Sequence, residues 1–251
     1  MRFDSSFITD VAHRPWPLPP RPWVMKQSWH DLLFAHWPID RASIAALVPR
    51  DFEIDVCEGS AWIGVVPFEM RNVAPRGVPA LPWLSAFPEL NVRTYVRAGD
   101  KPGVYFFSLD AANPVAVHVA RRWPRLPYFH ASMQVEPAPD ATVSYRSRRR
   151  DAGRPAEFVA SYRPAGASFS PQPGTLEYFL TERYCLYGRD RHARPYRLEI
   201  HHPAWTLQIA TAEFQRNSMA DAAGLTLPAV APLLHFATRQ DMVGWAPQRL
   251  E

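Results

Sequence analysis

The sequence predicts a mainly β protein of the α+β class, with many antiparallel strands and a few short helices. Its 27 prolines among 251 residues interrupt long helices and are typical of short strands joined by fixed turns. A hydrophobic content of 47% against 21% charged residues indicates a folded globular chain rather than a disordered one. The third observation is alternation: Glu89, Asn91 and Arg93 occupy one face of a predicted strand, and Leu90 and Val92 occupy the other.

The strands follow one another along most of the chain. Alternation and flanking turn residues place them at 24–37, 53–57, 61–71, 89–95, 103–110, 127–136, 141–148, 156–163, 183–188, 195–202, 205–215 and 233–246. In the first of them Trp29, Asp31 and Leu33 are expected on one face. A hairpin about Glu58-Gly59 is expected to pair the second strand with the third.

Helix start and stop signals predict that the longest helix is short. Asn113 is an N-cap residue and Pro114 stands at the first helical position, so this helix is expected to run to about Trp123. Pro124 then ends it. Three shorter helices are predicted after Asp40, after Thr175 and at 218–223.

The domain organisation is expected to be simple. No internal repeat or linker divides the sequence, so a single domain is predicted over residues 24–251. Residues 1–23 form a Pro-rich arm that is expected to be extended. Its tryptophans, Trp16 and Trp23, are expected to pack on the domain, because an exposed Trp is unfavourable.

Charge and cysteine content exclude several classes of protein. The net charge of +4 is spread out, and the densest basic run, 145–154, is expected to be a solvated turn, with a phosphate-contacting patch as the alternative. No zinc-finger, RNP-like or helix-turn-helix pattern accompanies it, so nucleic-acid binding is not expected. No apolar run of membrane length, signal-peptide core or disulfide framework occurs. We therefore expect a cytoplasmic protein without membrane contact; a homo-oligomer stays open.

The common catalytic and cofactor motifs are also missing from this sequence. It contains no G-x-S-x-G elbow, P-loop or G-x-G-x-x-G run. His201 and His202 are adjacent on one strand and point to opposite faces, so they do not form a joint metal site. No metal and no cofactor are expected.

The candidate residues for a binding or catalytic site lie on two predicted strands. Glu89, Asn91 and Arg93 share a face of one strand, and Tyr128 and His130 share a face of another, about 7 Å apart. The polar face of the first strand could simply be wetted by solvent. Alternatively, both faces point into a barrel that holds a ligand, where Asn91 and His130 would contact the substrate.

Chemical roles follow if these residues do converge. Glu89 could act as a general acid or base once burial raises its pKa, with Tyr128 as its catalytic neighbour. Arg93 or Arg122 could hold a substrate carboxylate through two parallel hydrogen bonds. The structural alternative is that Tyr128 belongs to the core and Arg122 complements the C-terminus of its helix.

Several segments resemble one uncharacterised bacterial family, called DUF2071 or YqjF-like. They are WHDLLFAHWPI, AWIGVVPFEM, FPELNVRTYV, GVYFFSLDA, LPYFHA, FLTERYCLYG, EIHHPAW and LLHFATRQDMVGW. The resemblance spans about residues 26–245. It implies an acetoacetate decarboxylase-like fold, a conical antiparallel β-barrel with a few short helices.

The resemblance to acetoacetate decarboxylase does not extend to its catalytic lysines. That enzyme carries a Gly-Tyr-Pro-Lys-Lys run at a helix-to-strand junction, and the first lysine forms a Schiff base. Here Pro127 matches the proline, but Tyr128 and Phe129 match the lysine pair, and neither can form an imine. The catalytic strand glutamate of acetoacetate decarboxylase resembles Glu89 in position.

Two functions from different classes therefore remain. The first is an enzyme that uses general acid–base chemistry on a small carboxylated or carbonyl compound, without an imine. The second is a non-enzymatic small-molecule binding protein on the same fold. A polar pocket built around an anion would favour the enzyme, and an apolar pocket whose polar groups pair with each other would favour binding or structure.

Overall fold

The computed structural model describes residues 3–81, 84–151 and 153–250, and within these ranges it is dominated by strands. The strands are β1 (Met25–Ile39), β2 (Glu53–Ile54), β3 (Ala61–Pro75), β4 (Phe87–Ala98), β5 (Lys101–Ala111), β6 (Tyr128–Pro137), β7 (Val143–Arg149), β8 (Glu157–Phe169), β9 (Cys185–Arg189), β10 (Pro195–His201), β11 (Leu207–Asn217), β12 (Leu233–Gly244) and β13 (Gln248–Arg249). The helices are α1 (Arg41–Ala45), α2 (Pro114–Arg122), α3 (Leu176–Thr181) and α4 (Met219–Ala222). The predicted mainly β class is confirmed.

The helices begin where their capping residues predicted. The Asn113 side chain accepts hydrogen bonds from the backbone N–H groups of Val115 and Ala116, at 2.9 and 3.1 Å, and Pro114 follows it directly. Asp40 and Thr175 cap α1 and α3 in the same way. These side chains satisfy N–H groups that have no partner inside the helix, which is why such short helices are stable.

The thirteen strands within the described ranges belong to one sheet that closes on itself twice. The larger ring runs β5-β6-β7-β8-β11-β12-β1-β3-β4 and closes because β4 also pairs with β5. The smaller ring runs β5-β9-β10-β12-β1-β3-β4 and closes because β10 also pairs with β12. Strands β12, β1, β3, β4 and β5 belong to both rings and form what we call the shared wall.

Two features of the pairing differ from the sequence prediction. The β5–β6 and β5–β9 pairs are parallel, and the other pairings among the described residues are antiparallel. Parallel pairing of β5 with β6 arises because α2 carries the chain back across the sheet between them, as parallel neighbours require. The predicted turn about Glu58-Gly59 is present, since Cys57 and Ser60 bridge across it, but the predicted pairing of β2 with β3 is wrong because β2 pairs with β4.

The larger ring is filled by a hydrophobic core. Leu33, Leu90 and Phe158 are fully buried in it, together with side chains from β3, β7, β11 and β12. Tyr145 and Tyr162 also lie inside this core, and their hydroxyl groups donate hydrogen bonds to backbone carbonyl oxygens. This ring therefore has the packed interior of an ordinary folding core.

A bulge in β1 overturns part of the predicted alternation. Asp31 has a φ of 51°, in the left-handed region. The bulge adds one residue to β1 relative to β3, which reverses the side-chain alternation after Asp31. Trp29 therefore lines the cavity of the smaller ring, while Leu33 packs in the core of the larger ring. The prediction that Trp29, Asp31 and Leu33 share a face is wrong for this reason.

Residues 3–23 lie against the body of the protein. Phe7 packs on Val243 and Trp245, and the Trp16 indole N–H donates to the Glu199 carboxylate at 2.9 Å. Arg14 donates to the same carboxylate at 2.7 Å. No helix in the described part of the chain is both long enough and apolar enough to cross a membrane.

Candidate functional site

A cavity of about 490 Å³ lies inside the smaller ring, on the opposite side of the shared wall from the hydrophobic core. All seven strands of that ring contribute to its lining, and α2 lies along one side of it. Most of the lining side chains are apolar, including Phe34, Val66, Phe106, Leu109 and Met242. Its size and its largely apolar walls are typical of sites that bind small molecules.

Strand β4 supplies a row of polar side chains to this cavity. Glu89, Asn91 and Arg93 all line it, while Leu90 and Val92 are fully buried in the core on the other face. The predicted alternation of this strand is confirmed. Four residues of strand place Glu89 and Arg93 about 13 Å apart along the wall.

Glu89 and Tyr128 form a hydrogen-bonded pair at one end of this row. The Tyr128 hydroxyl donates to Glu89 Oε2 at 2.8 Å, and Tyr145 donates to the Glu89 backbone carbonyl at 2.8 Å. Glu89 is only 2% exposed. Burial raises the pKa of Glu89 to about 8, with a smaller contribution from Asp110, while the Tyr128 hydrogen bond acts in the opposite direction. Glu89 therefore holds its proton at neutral pH.

Arg93 lies at the other end of the row, without a carboxylate partner among the described residues. One terminal nitrogen donates to the Leu180 backbone carbonyl at 3.0 Å. The guanidinium also lies 5.3 Å from the ring centre of Phe34 and 5.6 Å from that of Tyr95. Its Nε is buried and has no hydrogen-bond partner. A partly buried cation whose charge no carboxylate among the described residues neutralises is suited to an anionic ligand.

Arg183 brings a second guanidinium to the cavity, but this one is already paired. Its Nη1 lies 2.6 Å from Asp55 Oδ2, and its Nε donates to the Phe179 carbonyl at 2.5 Å. It therefore serves a structural ion pair and leaves Arg93 as the cation available to a ligand. The sequence reasoning placed Arg183 at the start of the predicted strand 183–188 but assigned it no role, and in the structure it lies just before β9.

A cluster of aromatic rings closes another side of the cavity. Trp29 and Trp205 stack with ring centres 6.0 Å apart, and His202 lies 5.4 Å from Trp205. Burial lowers the pKa of His202 to about 4, so the ring is neutral at physiological pH. Within the described residues, no group of three or more His, Cys, Asp or Glu side chains is placed to hold a metal ion.

Arg122 and His130, also predicted for the site, do not line this cavity. Arg122 is exposed on the outer side of α2, whereas Val119 and Trp123 of the same segment face inwards. His130 is partly buried on β6, and its backbone N–H donates to Asp151 at 2.6 Å. Strand β6 turns away into the larger ring after Tyr128, which separates His130 from the other candidates.

Neither of the two lysines lines the cavity, and both belong to the described part of the chain. Lys101 pairs with Glu199 at 2.9 Å, and Lys26 lies 5.3 Å from the ring centre of Phe3. Tyr128, which by the sequence resemblance matches the lysine of the decarboxylase, lines the cavity with its phenol. The described lining residues thus offer no amine for imine formation.

Comparison with known proteins identifies relatives over nearly the whole chain. The model of the DUF2071 family, described as uncharacterized conserved proteins, matches residues 26–241. Uncharacterized protein YqjF of Bacillus subtilis (strain 168) is 48% identical over 223 residues, which cover 89% of this chain and 91% of YqjF.

Solved structures share the fold at low sequence identity. Acetoacetate decarboxylase from Legionella pneumophila superimposes with a TM-score of 0.62 at 12% identity, covering 100% of this chain and 98% of that one. The enduracididine biosynthesis enzyme MppR, solved in complex with pyruvate, gives a TM-score of 0.59 at 12% identity, covering 95% and 93%. At such identities the likeness establishes an acetoacetate decarboxylase-like fold and nothing about activity.

Proposed function

The chain belongs to the DUF2071 family, and from this premise we propose that its cavity binds a small compound carrying a carboxylate or a carbonyl group. The observation that carries the proposal is Arg93, a cation without a carboxylate partner among the described residues, set in a mainly apolar cavity. A guanidinium binds a carboxylate through charge-assisted hydrogen bonds, which are stronger in a dry site than in water.

The fold neighbours support the same class of ligand. MppR was solved with pyruvate bound, and a second neighbour is an acetoacetate decarboxylase. Both names refer to small carboxylated compounds that also carry a carbonyl group. The lining of the present cavity retains groups that suit such a compound: a guanidinium, an amide and a protonated carboxyl group on one strand.

An enzymatic role is the second candidate, and Glu89 is the observation that favours it. A carboxyl group with a pKa of about 8 is protonated at neutral pH and can donate that proton to a substrate carbonyl oxygen. The hydrogen bond from Tyr128 fixes the orientation of Glu89. On the other hand, Glu89 and Tyr128 already satisfy each other in a mostly apolar pocket, which favours binding over catalysis as the leading proposal.

Thermal shift with a panel of small carboxylic and oxo acids tests the binding proposal. At a ligand concentration of about 100 Kd the free energy of unfolding rises by about 2.7 kcal/mol, which corresponds to a Tm increase of about 5–10 °C. We expect this increase for the wild type and its loss in Arg93→Gln. The proposed role of Glu89 predicts that Glu89→Gln also weakens the response while the protein stays folded.

The matched control is Arg97→Gln on the same strand. Arg97 pairs with Asp55 at 3.5 Å and does not line the cavity, so its replacement removes the same charge from outside the site. Arg97→Gln should keep the full ligand response. Equal responses of Arg93→Gln and Arg97→Gln, or no response of the wild type to any acid, would show that the cavity does not bind these compounds.

A further inference from the structure

The cavity is much larger than a three- or four-carbon acid requires. Its volume of about 490 Å³ lies within the range of sites that hold drug-sized ligands. The polar lining residues are the row on β4 together with Gln27, Tyr128, Thr181, Arg183 and His202. The rest of the wall is built from apolar and aromatic side chains, such as those of Leu32, Val66, Leu109 and Ile200. A hydrocarbon chain would remove this apolar surface from water.

The polar and apolar ends of the cavity are arranged along β4. Arg93 marks one end, beside the Leu180 carbonyl. Towards the other end β4 approaches α2, because Ala112 N–H donates to the Pro88 carbonyl at 3.2 Å just before that helix begins. Glu89 lies between the two ends, about 13 Å from Arg93, which is the length of an extended chain of about ten carbon atoms.

The apolar end opens to solvent beneath α2. Val115, Val119 and Trp123 line the cavity and yet are 49%, 55% and 50% exposed. Among the described residues, no other large hydrophobic side chain both lines the cavity and is exposed to solvent. An apolar rim whose side chains line the cavity and are about half exposed to solvent suits the end of a hydrocarbon chain and not a second charged group.

We propose that the ligand is a medium-chain carboxylic acid of about ten to twelve carbon atoms. Its carboxylate binds Arg93, its chain follows β4 past Asn91 and Glu89, and its end lies under α2 against Val119 and Trp123. This inference rests on the proposed function and deepens it, since a short oxo acid would satisfy Arg93 but leave most of the apolar wall uncovered.

A chain-length series measured by isothermal titration calorimetry tests the inference. Straight-chain acids from butanoate to tetradecanoate should bind about four-fold tighter for each added methylene group, because each buries more apolar surface. The gain should stop at about ten to twelve carbons, where the chain reaches solvent at the rim. Decan-1-ol, which lacks the carboxylate, should bind at least ten-fold more weakly than decanoate.

Other outcomes separate this inference from the proposed function. Arg93-dependent binding of short acids with no gain in affinity along the series would overturn the chain-length inference and leave the proposed function standing. No binding of any acid would overturn both. Decanoate binding that Arg93→Gln does not weaken would overturn the carboxylate position, and with it both proposals.

A substitution at the rim under α2 tests where the hydrocarbon chain of the bound acid ends. Val119→Glu places a charge where the chain should end, so decanoate should bind at least ten-fold more weakly while hexanoate is unaffected. Val230→Glu is the control, because Val230 is 53% exposed and does not line the cavity. Equal decanoate affinities of the two variants would contradict an exit under α2.

Discussion

The two faces of β4 differ in composition, because one packs in the core of the larger ring and the other lines the cavity of the smaller ring. Towards the larger ring, Leu90 and Val92 are fully buried in a packed apolar core. Towards the smaller ring, Glu89, Asn91 and Arg93 line a cavity, and both Asn91 Oδ1 and Arg93 Nε are buried without a hydrogen-bond partner. Burying unpaired polar groups costs free energy, so stability alone would not favour them there. The core face of β4 therefore serves stability, and the cavity face is the one to which the proposed function assigns ligand binding.

Truncating neighbouring residues on the two faces should give the largest difference. Leu90→Ala leaves a void in the packed core and should lower the free energy of unfolding by about 2.7–5 kcal/mol. Asn91→Ala removes a side chain that already borders a cavity, and with it the unpaired Oδ1 atom. It should therefore change the free energy of unfolding by less than about 1 kcal/mol. Urea unfolding of both variants measures this, and similar losses would mean that both faces serve stability.

The pH dependence of stability should distinguish Glu89 from its isostere. The folded state binds the Glu89 proton more tightly than the unfolded chain does, because the pKa of Glu89 is raised from 4.5 to about 8. The stability that this proton contributes is complete below pH 4.5 and is lost as the pH rises through 8. Glu89→Gln has no such proton to lose, so between pH 5.5 and 8 it should gain about 3 kcal/mol relative to wild type.

Taking the difference in the free energy of unfolding between wild type and Glu89→Gln cancels the contribution of the buried histidines. Burial lowers the pKa of His30 and of His202 to about 4, so these groups destabilise both proteins alike at low pH. Urea unfolding at a series of pH values gives the difference directly. A constant difference from pH 5.5 to 8 would show that Glu89 has an ordinary pKa and is accessible to water.

Removing single hydroxyl groups from the two faces should give the smallest effect. Tyr128→Phe deletes the donor to Glu89 and should lower stability by about 1–2 kcal/mol at pH 6. It should also raise the pKa of Glu89 further, since this hydrogen bond holds that pKa down. Tyr105→Phe is the control on the core side of the shared wall, where the Tyr105 hydroxyl makes no hydrogen bond to another described residue, and it should change the free energy of unfolding little. Equal effects of the two variants would argue against a functional pair.

Local signals in the sequence predicted the local structure well. The cap at Asn113, the alternation along β4 and the strand predicted at 127–136 all depend on near neighbours, and all are confirmed, the last as β6. The same patterns allowed Glu89, Asn91, Arg93 and Tyr128 to converge on one cavity, but left a solvent-wetted face as the alternative; in the structure all four line the cavity.

The long-range features could not be predicted in this way. The second ring depends on pairing of β5 with β9 and of β10 with β12, which no local pattern encodes. Arg183 and His202 reach the cavity only through that ring. The bulge at Asp31 depends on a left-handed backbone, and a simple alternation rule passes over it. Arg122 was misplaced because the sequence alone does not show which side of α2 faces inwards.

A crystal structure with ω-bromodecanoic acid tests the central claim most directly, because anomalous scattering locates the bromine independently of the chain. The account predicts the carboxylate within hydrogen-bond distance of the Arg93 guanidinium and the bromine beside Val119 and Trp123 under α2. A bromine next to Arg93, or an acid bound only to arginines on the outer surface, would contradict the assignment of this face of β4 to ligand binding.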